Sequence, residues 1–367
     1  MLFLSSLLTL ASTASCSAPK IIIDNDWTSV GFVTFLLAVD AGWDVLGLVG
    51  DTANSWARQT SLHGLALLEI GNLSCIPVHK GADYPLLNTP TQHQTWELLH
   101  GPLPYISSAG AFKPENATAE ALGNDPTSGD PTRISRAAFI EGFPNTTLAG
   151  ETAAAWMVEQ VRKYPGQVTI YSGGALTNVA LAVRLDPTFA SNAKGLVIMG
   201  GYLDVMMLQT TGTRLLADIN SDINLKVDPE AAKIALTANF PNITIVGNGA
   251  NQVFPVQEYL DEVYQVETPY TKLFHDHYGT RLPFWDEIAM FAGLYPEHVV
   301  NSTSFLVDVD TAWSSPYYGN IMVYQELLMP KVQKLQKAQY INEINQTALL
   351  SAMKRSMECP KCATFCK

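Results

Sequence analysis

Short apolar runs and helix-period segments alternate along this chain, and that alternation constrains the fold more than any other feature. Lys20 to Ile23, Asp44 to Val49, Ile76 to His79, Gln167 to Tyr171, Gly195 to Met199 and Ile243 to Val246 read as strands. Between them, Ser29 to Ala41, Ala57 to Ile70, Glu151 to Lys163, Leu176 to Arg184 and Pro229 to Ala238 read as helices. Strands separated by helices of this length pair in parallel and carry the helices on their faces. The expected fold is therefore α/β, a Rossmann-like and mostly parallel sheet with helices on both faces. The rhythm breaks from Ala82 to about Gly150, where Pro, Gly, Ser and Asn accumulate and a long loop is expected. Further on, helices are expected at Thr271 to Tyr278, Trp285 to Leu294 and Asn342 to Met357, with a strand near Phe305 to Val309.

With 367 residues, 47% of them hydrophobic, and neither an internal repeat nor a linker, the chain reads as a single domain over residues 19–367 with a Cys-containing tail. Residues 1–18 read as a secretory signal peptide, a short apolar core followed by small residues with cuts available after Ala14 or Ala18. That run is too short to span a membrane. The sequons at Asn72, Asn116, Asn145, Asn242, Asn301 and Asn345 agree with a secreted, extracellular glycoprotein. Past the signal, Cys75, Cys359, Cys362 and Cys366 remain, and in an oxidising compartment a disulfide-pinned tail is expected, with Cys75 as a candidate partner. A net charge of -12 repels long nucleic acid and favours a small neutral or cationic substrate, or a divalent cation.

The chemistry is expected where the first strand ends. Ile21-Ile22-Ile23 runs into Asp24-Asn25-Asp26, and the C-terminal ends of strands are where open α/β sheets bind ligands. Residues two apart on a strand share a side, so both carboxylates can converge on one cation or reacting atom. The bland reading is a turn in which Thr28 or Ser29 caps the next helix. Asp286 has a similar alternative as a helix cap, Asn178 as a local backbone partner, and Gly173, Gly174, Gly200 and Gly201 as formers of tight turns.

Four segments in order carry a resemblance: Asp24-x-Asp26, Ser172-Gly173-Gly174-Ala175-Leu176-Thr177-Asn178, Val197-Ile-Met199-Gly200-Gly201, and Asp222-Ile-Asn224 running on to Asp228-Pro229-Glu230. Together with Asn54 after the second strand and Trp285-Asp286 at a helix start, they resemble the inosine-uridine preferring nucleoside hydrolases. The resemblance implies a nucleoside-hydrolase-like fold and hydrolysis of the N-glycosidic bond of ribonucleosides to ribose and base. It implies Ca²⁺ held by Asp24, Asp26, the Gly173 carbonyl and Asp286, with Asp26 as the base, and a small-molecule nucleoside contacted by Asn54, Met199, Asp222, Asn224 and Trp285. It also admits a homo-oligomer. Oxygen donors of this kind suit a hard cation.

The family pattern Asp-x-Asp-Pro-Gly-x-Asp-Asp ends here in Val30-Gly31, removing one cation ligand and one sugar anchor, and Trp285 stands where the family carries a His. A nucleoside- or ribose-binding homologue with impaired catalysis is therefore an alternative. A third reading, ranked last, takes Asp24-Asn-Asp26-Trp-Thr28 as the first motif of haloacid-dehalogenase-like phosphatases; the late acidic pair such enzymes need is missing, since Gly50-Asp51 comes early, Gly129-Asp130 lies in the long loop, and neither has an acid at the expected offset.

Overall fold

A computed structural model describes residues 18–101, 112–203, 223–247, 250 and 253–360. Nine strands form one sheet: β1 (Lys20–Asn25), β2 (Asp44–Gly50), β3 (Val78–Lys80), β4 (Val168–Ser172), β5 (Gly195–Met199), β6 (Ile243–Val246), β7 (Val299–Val309), β8 (Ile321–Tyr324) and β9 (Gln336–Ile344). Their order is β3-β2-β1-β4-β5-β6-β9-β7-β8. Neighbours from β3 to β9 pair in parallel, while β7 is antiparallel to both β9 and β8. The expected parallel sheet is present and continues into β9, and the antiparallel β7 and β8 extend it; the apolar pattern did not reveal β8 and β9.

Side-chain alternation along β1 builds two cores. Ile21 and Ile23 join Phe35, Leu37, Ile288, Phe291 and Met353 on one face, whereas Ile22 joins Met157, Val179, Ala180 and Ala232 on the other. The first face is covered by the helices Val33–Asp40, Trp285–Leu294 and Gln346–Glu358, the second by Ala153–Lys163, Thr177–Leu185 and Pro229–Leu236. Each of the three isoleucines is at most 2% exposed, and burying such a side chain contributes about 1.5–3 kcal/mol. β1 is thus fixed in register by its apolar half, and its polar end is carried to the sheet edge as a consequence.

Several local expectations change. The first helix spans Val33–Asp40 rather than Ser29 to Ala41, and no side chain caps it. Ser29 donates instead to the Ala138 carbonyl at 3.0 Å, tying the turn to a distant segment. The stretch expected as loop holds the helix Pro90–His100, started by Thr89, whose hydroxyl accepts the Gln92 N–H. Cys359 is free and exposed, whereas Cys16, Cys362 and Cys366 lie outside the described residues. No helix among the described residues is long and apolar enough to cross a membrane.

Candidate active site

The switch point of the sheet lies at β1, which pairs with β2 on one side and β4 on the other. Alternation sends the polar end of β1 two ways. Asp24, on the face of Ile22, accepts the Asn178 Nδ2–H at 3.0 Å on Oδ1, from the helix Thr177–Leu185 of that face. Asn25, on the face of Ile23, donates from Nδ2 to Asp286 Oδ2 at 3.1 Å, in the first turn of the helix Trp285–Leu294 on the opposite face. Asp26 follows the strand, and its Oδ2 accepts the Asn54 backbone N–H at 3.1 Å, while Asn54 Nδ2 donates to the Asp26 carbonyl at 3.3 Å. Asp24, Asp26 and Asp286 are thereby gathered over one strand end from both layers of the molecule.

The turn after β4 closes this cluster from the other side. A Cβ on Gly173 would lie 1.9 Å from Asn25 Oδ1, and one on Gly174 would lie 2.4 Å from Asp51 Oδ2. Both glycines are required by close approach, whereas Gly200 and Gly201, with φ of 140° and 75°, are required by backbone conformation. The Gly173 N–H donates to the Asp24 carbonyl at 2.9 Å, and its own carbonyl accepts Asn224 Nδ2 at 2.7 Å. Asn224 also reaches the Met199 carbonyl at 3.1 Å, so Met199, Asn224 and Gly173 form one hydrogen-bonded wall. Tyr171, one residue from the end of β4, donates to the Asp286 carbonyl at 3.0 Å and fixes the start of that helix against the sheet.

Trp285 is partly buried and packs on the core beside Asp286. Asp222 lies outside the described residues. Asp286 does not cap its helix, since Phe284 occupies that position without a side-chain bond. Nor is Asn178 a local partner: besides Asp24, its Oδ1 accepts the Ala82 N–H at 2.9 Å, so it ties β1 to the segment after β3. Asp51 is the acid that sequence reasoning left out of the site. Its signal was positional, an Asp directly after β2 beside the Asp directly after β1. Asp130, the other acid considered for a phosphatase, is exposed, with Oδ1 occupied by the Thr132 N–H and hydroxyl.

Electrostatically, Asp24, Asp26, Asp51 and Asp286 behave as one group. Burial, opposed by the Asn178 hydrogen bond, lifts the Asp24 carboxyl to about 8, and burial against the Asn25 bond lifts Asp286 to about 7. Asp26 is raised well above the carboxylate range by burial and by the charges of Asp286 and Asp24. Burial, then the charges of Asp24, Asp26 and Asp286, raises Asp51 in the same way. None of the principal influences on the four comes from a Lys or Arg.

Among the described residues, no group of three or more His, Cys, Asp or Glu side chains is already arranged to hold a metal ion, and Asp24 and Asp286 each accept a side-chain amide instead. The donor chemistry nevertheless fits a hard divalent cation. Every candidate donor is an oxygen, and Asp24 Oδ2 and both Asp51 oxygens are buried without a hydrogen-bond partner. Buried carboxylates with no partner are costly, and a cation is the counter-charge that relieves them.

Comparison with known proteins gives a consistent picture. The family model described as inosine-uridine preferring nucleoside hydrolase matches residues 21–351. An uncharacterised protein of Schizosaccharomyces pombe is 35% identical over 349 residues, covering 90% of this chain and 83% of that protein. A probable uridine nucleosidase 2 of Arabidopsis thaliana is 28% identical, covering 66% of this chain and 64% of that protein. Among solved structures, an inosine-guanosine nucleoside hydrolase superposes with a TM-score of 0.68 at 19% identity, covering 92% of this chain and 98% of that one, a likeness of fold.

Proposed function

The chain belongs to the inosine-uridine preferring nucleoside hydrolase family and hydrolyses the N-glycosidic bond of ribonucleosides to ribose and free base, and on that premise we propose that Asp26 is its general base, at a Ca²⁺ site built on Asp24, Asp26 and Asp286. Membership of this family sets aside the phosphatase reading. The observation that carries the proposal is the gathering of these acids, from both faces of the sheet, at its switch point.

The residues that would hold the cation are Asp24, Asp26, Asp286 and the Gly173 carbonyl. When bound, it supplies positive charge that orients the attacking water and makes it more acidic. Asp26 accepts a proton from that water as oxygen bonds to C1′, and the C1′–N bond breaks with its electron pair leaving on the base, which takes up a proton from solvent. The Asn54 N–H holds Asp26 Oδ2 in place for this transfer. Positive charge that develops on the ribose is stabilised by the surrounding carboxylates. In this reading Asn224, in the wall formed with Met199, meets sugar hydroxyls, with Met199, Asn54, Asp222 and Trp285 as the remaining substrate contacts.

The test is ribose release from a panel of nucleosides, with and without a chelator, for the wild type and Asp26→Asn. Loss of a positioned base costs roughly 10²–10⁴ in rate. Release that survives Asp26→Asn unchanged removes Asp26 from this role, and release indifferent to chelation removes the cation.

We also infer that the chain is a secreted glycoprotein. All six sequon asparagines are exposed, as glycan attachment requires.

A further inference from the structure

Asp51 follows β2 directly. Its N–H donates to the Asn25 carbonyl at 3.2 Å, one step past the last β1–β2 pair, Asn25 with Gly50. From there its side chain reaches across the end of β1 to the turn after β4. A Cβ on Gly174 would meet Oδ2 at 2.4 Å and Oδ1 at 2.5 Å. The residue is 1% exposed, and neither carboxylate oxygen has a hydrogen-bond partner. Asp24 Oδ2, fully buried in the same cluster, has none either.

Such a carboxylate is out of place in a purely structural role. A buried acid that serves the fold is normally met by backbone N–H groups or by a cation of the protein. Here the strongest influences after burial are the charges of Asp24 and Asp26, and the Ala175 N–H offsets them only in part, without hydrogen-bond geometry. The loop after β1 contributes no further acid of its own, because Val30 packs on the apolar core and Gly31 has no side chain.

We propose that Asp51 is a direct ligand of the divalent cation, a fourth carboxylate delivered from β2 to the set formed by Asp24, Asp26 and Asp286. The proposal rests on the cation reading given above and extends it to a residue outside the resemblance. It accounts at once for the orphaned oxygens, for the bare backbone of Gly174 against them, and for a site that persists although the first loop ends in Val30-Gly31. A hard cation accepts a carboxylate in one- or two-oxygen mode, so two free oxygens are what such a site requires.

Calcium alone is titrated calorimetrically into the full chain, and thermal unfolding is followed with calcium and with chelator, for the wild type, Asp51→Asn and Asp24→Asn. A ligand role predicts that Asp51→Asn binds calcium at least roughly tenfold more weakly, since ligand charge sets affinity. It also predicts that the chelated variant melts no lower than the chelated wild type, because a buried acid with no hydrogen-bond partner has been removed, while the calcium-induced rise shrinks. If Asp51→Asn keeps wild-type affinity while Asp24→Asn loses it, the proposal is overturned and the cation site stands without Asp51. A chelated Asp51→Asn that melts below the chelated wild type, or does not fold, marks a structural acid and overturns it too. A wild-type chain that takes up no calcium defeats the cation reading itself.

Discussion

Replacing Gly174 with Ala perturbs the carboxylate cluster without removing any donor. Gly174 is not among the residues with positive φ, so its backbone accepts an alanine. The added methyl is the whole perturbation: it would stand 2.4 Å from Asp51 Oδ2, 2.5 Å from Oδ1 and 2.8 Å from Cγ. Non-bonded carbon contacts settle at about 3.5 Å, so the carboxylate has to withdraw by roughly 1 Å. Asp51 is 1% exposed, and the retreat therefore runs into packed protein, an overpacking that costs about 1–3 kcal/mol. Calcium–oxygen bonds span about 2.3–2.6 Å, so a 1 Å retreat breaks one, and displacement of that size lowers turnover roughly hundredfold. Urea unfolding in chelator reads the first effect, and ribose release at saturating calcium reads the second. Gly150→Ala is the control, since a Cβ there meets nothing within 4 Å, and it should stay within about 0.5 kcal/mol of the wild type. The decisive arm is a double-mutant cycle: in an Asp51→Ala background the methyl enters vacated space, and both penalties should nearly vanish. A Gly174→Ala penalty that is as large without the Asp51 carboxylate as with it would show that the methyl acts elsewhere.

Burial lowers the His63 pKa, but the charge and hydrogen bond of Asp125 at 2.9 Å and those of Glu141 at 2.5 Å outweigh it and hold the imidazolium to about 9. A rise from 6.5 is worth about 3 kcal/mol, fully present below pH 6.5 and lost as pH climbs through 9; urea midpoints should show this slope in the wild type and not in His63→Gln. Asp24 and Asp286, lifted to about 8 and about 7 from 3.8, bind more protons folded than unfolded, so chelated protein should lose stability between about pH 4 and pH 8. A melting temperature in chelator that holds level or rises over that window counts against the buried cluster, and added calcium should flatten the fall. Expression in a eukaryotic secretory host should deliver the chain to the medium with glycosidase-sensitive mass; an unglycosylated or retained product argues against the secreted reading.

How far the sequence disclosed this arrangement depended on what signalled each element. The first six strands were legible because they are short apolar runs, buried on both faces. β9 was not, because Gln336–Ile344 holds no continuous apolar run and the helix expected from Asn342 overlaps its end, whereas that helix begins at Gln346. The helix Pro90–His100 was missed for a related reason: only His93 and Trp96 are buried, so no apolar stripe marks it, although Thr89-Pro90 is a helix start that deserved more weight. In the site, Asp24 and Asp26 were visible as a local pattern at a strand end. Asn178 read as a local partner because its true one, Asp24, is 154 positions away. Asp51 has no place in the motifs of the resemblance, and only the pairing of β1 with β2 reveals that residues 24–26 and 51 end side by side.

That pairing also explains how a site can change its ligands without moving. At the switch point, the ends of β1, β2 and β4 are adjacent positions in space although they are far apart in the chain. An acid placed on any of them reaches the same volume, provided the opposing backbone is bare enough to receive it. Gly173 and Gly174 meet that condition, each leaving space that a Cβ would fill, one for Asn25 and the other for Asp51. Beyond Asp26, the loop after β1 then supplies no further charge, and its Val30 packs against the apolar core that includes the helix Val33–Asp40. Geometry of the strand ends, rather than the identity of any one loop residue, is what brings Asp24, Asp26 and Asp51 to one end of the sheet.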